Sequence, residues 1–257
     1  MRVLIKLGGA LLDSADLREK VAREIAEIAA TGKYYIVLVH GGGKQMTRYL
    51  AERGVESRFV NGLRVTTPEI IDAVVKVFAG SVNAQLVTAL RAAGAQPVGL
   101  SGLAAGLVDA EVLNPELGQV GKPVHADARL LDVLTDARYL PVVACIAGDA
   151  KGCIYNVNAD QMAVACASAF RAEKLLFLTD VDGVRDAAGQ IRESLTSAEA
   201  RSLIDAGVAT GGMQAKLDAA MQALQQQVSE VFIAPGASPG IVPAILNGVR
   251  IGTRLNP

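Results

Sequence analysis

The feature that most constrains the fold is an apolar run, Tyr34 to Val39, that ends directly in His40 and three glycines, Gly41 to Gly43. The run predicts a buried strand, and the residues after the glycines are typical of a helix. Glycine has no Cβ, so consecutive glycines let backbone N–H groups approach an anion, and a helix N-terminus also favours negative charge. The stretch predicts a strand, a loop and a helix, in which the loop either binds an anionic ligand or serves tight packing alone.

The N-terminus carries a similar unit. Residues 3–5 indicate a short buried strand, Gly8 and Gly9 turn out of it, and apolar residues recur at helical spacing over residues 16–30. Two consecutive strand–helix units predict a parallel sheet with right-handed crossovers. Ligands of such sheets bind at the carboxyl ends of the strands, so we expect both glycine turns to share one crevice.

The rest of the chain alternates between the same kinds of element. Asn61-Gly62, between short β-prone runs, predicts a hairpin, and residues 103–125 predict a β-ribbon laid over the sheet. Further buried strands are predicted at residues 96–100, 140–144, 174–178 and 231–234. Helices are predicted at residues 68–79, from there to about 93, at 127–137, after Asp160, from about 211 to 227 and at 240–246.

Composition excludes several classes of protein. The 257 residues are 51% hydrophobic, which is enough for a large core, and 25 basic residues balance 26 acidic ones, so there is no basic field for nucleic acid. No uncharged stretch reaches the length of a membrane span. The three cysteines have no metal-type spacing and lie in apolar surroundings, which indicates reduced thiols and a cytoplasmic protein.

Two lysines near glycine turns, Lys6 and Lys216, suggest a site for a small, highly charged anion such as a nucleoside triphosphate. No serine or cysteine nucleophile paired with a histidine is evident. A substrate carboxylate would need no base, because its pKa near 4 leaves it ionised at neutral pH. Asp160 could hold both ammonium groups in place, or it could serve only as a first-turn acid of a helix capped by Asn158. Spacing alone does not bring these residues together.

Seven segments carry a resemblance to a known family. They are IKLGG at 5–9, VHGGG at 39–43, NGLRVT at 61–66, GLSG at 99–102, YNVNAD at 155–160, LTDVDGV at 178–184 and GGMQAK at 211–216. In this order they resemble the amino acid kinase family, and the resemblance covers almost the whole chain. It implies an α/β fold, a three-layer αβα sandwich with a mainly parallel central sheet.

The resemblance also implies an activity. This activity is ATP-dependent phosphorylation of the side-chain carboxylate of N-acetyl-L-glutamate in arginine biosynthesis, with Mg²⁺ held mainly through the ATP phosphates rather than by a protein metal site. Residues 1–172 would form an N-terminal lobe for the acetylamino acid and for dimerisation, and residues 173–257 a C-terminal lobe for ATP. A cytoplasmic homodimer without arginine feedback, bound to neither nucleic acid nor membrane, is the expected assembly.

The family pattern assigns individual roles. Lys6 and Lys216 would stabilise transition-state charge, and Asp160 would organise them. Acceptor binding would fall to Gly42, Gly43, Arg64, Asn156 and Asn158, with Arg64 making a forked contact to the α-carboxylate. The nucleotide would be bound by Gly8, Gly9, Asp180, Val181, Asp182, Gly183, Val184, Arg185, Val208, Ala209 and Thr210.

Two alternatives stay open at this point. One is a kinase for the aminoadipate derivative of lysine biosynthesis, which differs from the glutamate derivative by one methylene, worth about 1 to 3 kcal/mol of discrimination. The other is a non-catalytic regulatory member of the fold that binds ligands without turnover.

Overall fold

The computed structural model describes residues 1–256. Its strands are β1 (Arg2–Leu7), β2 (Tyr35–His40), β3 (Phe59–Val60), β4 (Leu63–Arg64), β5 (Pro97–Ser101), β6 (Val108–Val112), β7 (Val120–Ala126), β8 (Leu140–Ala144), β9 (Ile146–Gly148), β10 (Ile154–Val157), β11 (Lys174–Thr179), β12 (Ser194–Thr196), β13 (Glu230–Pro235) and β14 (Thr253–Asn256). Its α-helices are α1 (Gly9–Asp13), α2 (Ala15–Ala30), α3 (Gly43–Ala51), α4 (Pro68–Val74), α5 (Asn83–Ala92), α6 (Arg129–Asp136), α7 (Ala159–Ala169), α8 (Ser197–Asp205), α9 (Gly211–Gln225) and α10 (Ile241–Leu246).

The central sheet contains eight strands in the order β12-β14-β13-β11-β1-β2-β8-β5. From β13 to β5 all neighbours are parallel, whereas β14 runs antiparallel to β13. Five consecutive residues of β1, residues 3–7, are buried. Because successive side chains of a strand point to opposite faces, both faces of the sheet are covered by other elements. The predicted α/β sandwich with a mainly parallel sheet is confirmed.

Two smaller β structures sit beside the central sheet. At the predicted hairpin, β3 and β4 pair antiparallel around Asn61 and Gly62, whose φ angles of 49° and 77° are those of a type I′ turn. The predicted ribbon is also present as the antiparallel pair β6 and β7. It does not stand alone, because β9 and β10 join it to close a small four-stranded barrel.

The helices predicted at 68–79 and to about 93 form one unbroken helix, Pro68–Ala92, whose middle segment, Val75–Val82, is π-helical. Thr67 caps it by accepting a hydrogen bond from Ile70 N, and Pro68 occupies the first turn. By length and composition this helix could cross a membrane, but half of its most apolar stretch is buried inside the protein. The π-helical segment has no signature in the sequence, because its hydrogen-bond pattern is set by what the helix packs against.

Six elements were not predicted: α1, β9, β10, β12, β14 and α8. The strands among them have three or four residues, too few for a clear hydrophobic pattern, and β12 is the edge strand of the central sheet. Helix α8 did carry a signal, because Thr196 and Glu199 form a full capping box that the spacing of the sequence contains.

Candidate active site

The carboxyl ends of β1, β2 and β11 meet around a cavity of about 280 Å³. It is lined by Lys6, Leu7, Gly8, Gly9, Ala10, Gly41, Gly42, Gly43, Lys44, Ala159, Thr179, Asp180 and Lys216. The two glycine turns therefore share one crevice, as the sequence predicted. A larger hollow of about 530 Å³ lies beside β7, but the described side chains that line it form no ion pair.

Three charged side chains from distant parts of the chain meet at this cavity. Lys6, near the end of β1, places Nζ 2.7 Å from Asp160 Oδ1, and Lys216 of α9 places Nζ 3.6 Å from Asp160 Oδ2. The side chains of Lys6 and Asp160 are only 9% and 8% exposed. The structure thus brings together the three residues to which the family resemblance assigns catalytic roles.

The charges of the two lysines decide the protonation state of Asp160. Burial by itself would raise the pKa of this carboxyl, but Lys6 and Lys216 outweigh that effect and hold the pKa below its ordinary value. Asp160 is consequently an anion at neutral pH. The cluster carries two positive charges and one negative charge, so it keeps a net positive charge facing the cavity.

Helix α3 begins at the glycine loop and presents free backbone donors there. Among residues 1–256, no acceptor is within hydrogen-bond distance of Gly42 N or Gly43 N. Gly42 also has no room for a side chain, since a Cβ would lie 2.7 Å from Phe78 Cδ1 and 3.2 Å from Val82 Cγ2. The loop is thereby suited to anion binding through its backbone, and the π-helical segment packs directly against it.

Arg64 is joined to this loop. Its Nη2 donates to Gly43 O at 3.2 Å and to Thr47 Oγ1 at 2.7 Å, its Nη1 donates to Ser57 Oγ, and its guanidinium lies 4.6 Å from the centre of the Phe59 ring. Burial lowers the pKa of Arg64. The structure places Arg64 beside Gly43, and their binding of one acceptor stays a prediction.

The two predicted asparagines differ in their contacts. Asn156 Nδ2 donates to Thr66 Oγ1 at 3.0 Å, and Thr66 Oγ1 in turn donates to Arg64 O at 2.9 Å, so Asn156 belongs to the same network as Arg64. Asn158 is the N-cap of α7, where its Oδ1 accepts from the backbone N–H of Asp160 and Gln161. Its oxygen therefore has a structural partner, and its contact with a substrate stays a prediction.

Only some of the residues predicted to bind nucleotide reach the cavity. Gly8, Gly9 and Asp180 line it, whereas residues 181–185 and 208–210 do not. Gly8 N donates to Leu178 O at 2.8 Å, which ties the first glycine turn to the end of β11. Thr210 is the N-cap of α9 and makes no side-chain cap, so the N–H groups of Gly211 and Gly212 are available, whereas Met213 N donates to Thr210 O. The nucleotide roles of these residues stay predictions.

A buried network under the loop was missed from the sequence. His40 is fully buried, its Nδ1 lies 2.9 Å from Gly41 O, and its Nε2 lies 2.9 Å from Asn83 Nδ2. Burial lowers the pKa of His40 to about 4. Asn83 follows the π-helical segment, and no local pattern in the sequence relates it to His40.

This fold and this site define a class of protein. A model of the amino acid kinase family matches residues 1–235, and the chain belongs to that family. The chain is 60% identical to an acetylglutamate kinase of Solibacter usitatus (strain Ellin6076), over 99% of both chains, and 43% identical to one of Acidobacterium capsulatum, over 91% of both. Its fold is similar to the crystal structure of smu.665 from Streptococcus mutans UA159, with a TM-score of 0.84 and 28% identity over 99% of this chain and 98% of that one.

The buried His40 predicts a pH dependence of stability. Its pKa is about 4 in the folded protein and about 6.5 in an unfolded chain, so only the unfolded state gains a proton as the pH falls between these values. At pH 5 this effect removes about 2 kcal/mol of the free energy of unfolding relative to neutral pH.

Urea denaturation of the wild type and of His40→Asn at pH 7.5, 6 and 5 measures this loss. The difference in unfolding free energy between the two proteins should shrink by about 2 kcal/mol towards pH 5. His125→Asn, at the exposed histidine of β7, is the control and should keep the wild-type slope. A wild-type-minus-His40→Asn difference that does not vary with pH would contradict the buried neutral imidazole.

Proposed function

We propose that the chain catalyses ATP-dependent phosphorylation of the side-chain carboxylate of N-acetyl-L-glutamate, giving an acyl phosphate and ADP, as a step of arginine biosynthesis. The observation that carries the proposal is the Lys6–Asp160–Lys216 cluster at the meeting point of two glycine turns. The two relatives named acetylglutamate kinase support the glutamate derivative over the aminoadipate derivative and over a non-catalytic role.

The reaction needs charge neutralisation more than proton transfer. A carboxylate acceptor is already ionised at neutral pH, so the reaction needs no histidine base, and no histidine is among the residues that line the cavity. The obstacle is repulsion between that carboxylate and the γ-phosphoryl group. In the proposed mechanism Lys6 and Lys216 offset this repulsion and stabilise the transferring oxygens, while Asp160 holds both ammonium groups in position.

Acceptor binding is assigned to the side of the cavity that carries the glycine loop. The free N–H groups of Gly42 and Gly43 would bind the reacting carboxylate, and Arg64 would pair with the α-carboxylate through its guanidinium, which already lies beside Gly43. Asn156, linked to Arg64 through Thr66, and Asn158 complete the proposed acceptor site.

The nucleotide is assigned to Gly8, Gly9, residues 180–185 and residues 208–210. Free N–H groups at the start of α9 and the lysines fit a polyphosphate. In the proposed reaction Mg²⁺ would be held mainly through the ATP phosphates, and Asp180 is the carboxylate among the residues that line the cavity. Mg²⁺ would neutralise phosphate charge. We also propose that residues 1–172 form the lobe for the acceptor and for dimerisation, which contributes Gly8 and Gly9 to the nucleotide, and that the lobe from residue 173 onwards binds ATP.

The substrate claim is tested by a panel. ADP release is measured with N-acetyl-L-glutamate, N-acetyl-aminoadipate, glutamate, aspartate and carbamate at equal concentrations. We expect kcat/KM for N-acetyl-L-glutamate to exceed that for the one-methylene-longer derivative by about tenfold or more. Preference for any other acceptor would overturn the substrate assignment and leave the kinase assignment in place.

The catalytic role of Lys216 is tested by Lys216→Ala. Loss of one preorganised cation at the transferring group should lower kcat by about 10²- to 10³-fold, while ATP binding, measured by calorimetry, is largely kept. Lys20→Ala, which removes an exposed lysine of α2, is the matched control. A Lys216→Ala enzyme with wild-type kcat would contradict the role, and a wild type that binds both ligands without turnover would favour a regulatory protein.

We also propose that the chain is a cytoplasmic homodimer. Between Lys76 and Arg91 no residue of the helix Pro68–Ala92 is charged, and the exposed residues of this stretch are Ala79, Gly80, Ser81, Ala84, Gln85 and Thr88. Exposed helix faces are usually charged, whereas the centres of interfaces are depleted of charge. A second copy packed on this face would account for the apolar helix, and the free thiols fit a reducing compartment.

Sedimentation velocity tests the dimer. The wild type should sediment at about 53 kDa, twice the chain mass of 26.7 kDa. Ala84→Arg places a charge in the proposed contact and should shift the protein towards the monomer, whereas Ala198→Arg, on the exposed side of α8, should not. A monomeric wild type, or an unchanged Ala84→Arg dimer, would argue against this interface.

A further inference from the structure

The amide of Asn83 has only one orientation that its neighbours allow. Its Nδ2 lies 2.9 Å from Val142 O and 2.9 Å from His40 Nε2. A carbonyl oxygen can only accept a hydrogen bond, so the atom that faces Val142 O must be the NH₂ group. Asn83 is buried, and a third acceptor, Leu100 O, lies farther from Nδ2, at 3.5 Å. One hydrogen of the amide is donated to Val142 O and the other to His40 Nε2.

This orientation determines the tautomer of His40. A nitrogen that accepts a hydrogen bond carries no proton, so Nε2 is unprotonated and the single ring proton of the neutral imidazole lies on Nδ1. Nδ1 lies 2.9 Å from Gly41 O, to which it can therefore donate. His40 therefore accepts a hydrogen bond from Asn83 at Nε2 and donates one at Nδ1 to the carbonyl oxygen of Gly41.

The hydrogen bond to Gly41 O orients the next peptide group. In a trans peptide the C=O of one residue and the N–H of the next point in opposite directions, and the described chain has no cis peptide. With Gly41 O turned towards the buried imidazole, the N–H of Gly42 points away from it. Gly42 lines the cavity and its N–H has no acceptor within residues 1–256.

We infer that Asn83 is a positioning residue for the reaction, because through the tautomer of His40 it fixes the Gly41–Gly42 peptide with its N–H directed at the reacting carboxylate of the acceptor. The π-helical segment contributes to the same positioning of the glycine loop. It packs Phe78 and Val82 on Gly42 and delivers Asn83 to His40, so one helix fixes the loop by packing and by hydrogen bonds. The inference rests on the acceptor role proposed for the loop.

Three variants separate this role from a purely structural one. Asn83→Leu keeps the volume of the side chain and removes the donor. His40→Asn keeps a donor near the position of Nδ1, because the amide nitrogen of asparagine reaches about as far from the backbone, whereas His40→Gln places its amide near the position of Nε2 and loses the donor to Gly41 O. A structural role alone would make the two His40 variants similar. Asn247→Leu, at an exposed asparagine after α10, is the control.

Steady-state kinetics uses the acceptor that the substrate panel identifies. One misdirected hydrogen bond should raise the acceptor KM about tenfold in Asn83→Leu and in His40→Gln, with the ATP KM unchanged, and His40→Asn should stay closer to the wild type. Folded Asn83→Leu enzyme with a wild-type acceptor KM would overturn the inference. Equal rises in both KM values would do the same, because they indicate a general disturbance.

A spectroscopic measurement tests the inference without turnover. The chain has two histidines, so ¹⁵N-histidine spectra of the ligand-free protein are assigned with the His125→Asn variant. At pH 7 the His40 signals should show protonated Nδ1 and unprotonated Nε2, and Asn83→Leu should reduce that preference. A proton on Nε2 in the wild type would overturn the inference even if the kinase activity is present. Failure of the kinase activity with the expected tautomer would instead count against the proposed function.

Discussion

The site depends on one interaction, the buried carboxylate of Asp160 between the ammonium groups of Lys6 and Lys216. A carboxylate that is 8% exposed is strongly destabilised unless opposite charges compensate for its lost hydration, and here two do so from different elements. The same contacts bring β1, α7 and α9 to one point. The two ion pairs hold the ammonium groups of Lys6 and Lys216 in place, so the positive charges that the reaction requires are positioned by the folded structure itself.

The sequence predicted the strands, loops and helices that carry this site, but not that Lys6, Asp160 and Lys216 lie close together. Lys6 and the residues that flank it could be placed near a strand end from the apolar run and the glycines, since strand patterning is a local property. The distance from Lys6 to Asp160 is not local. It follows from the strand order, in which β1 lies between β2 and β11 with Lys6 level with Val39 and Phe177. Only the resemblance to the family linked the three charges before the structure did.

The missed features share a physical cause, which is that they exist only through tertiary contacts. The π-helical segment and the hydrogen bond from Asn83 to His40 both depend on what packs against the helix. The sequence of this helix has the pattern of an ordinary α-helix. The strictest requirement for glycine at position 42 also comes from across the fold, because Phe78 leaves no room for a Cβ. A run of three glycines indicates an anion loop, but the sequence does not say which of them packing requires.

The cavity is lined by two kinds of hydrogen-bond donor, backbone N–H groups and lysine ammonium groups, and they have different roles in the proposed reaction. Neutral N–H groups of the glycine loop, held by the helix beneath, can position an acceptor without adding charge, whereas the lysines supply charge. If both lysines were unpaired, they would bind the phosphates of the substrate as strongly as those of the transition state, which lowers KM without raising kcat. The negative charge of Asp160 reduces the net charge of the cluster to a single positive unit and holds the two ammonium groups in fixed positions. In the proposed reaction this arrangement favours the transition state, in which the attacking and transferring oxygens are closest, because only then do both ammonium groups face developing negative charge.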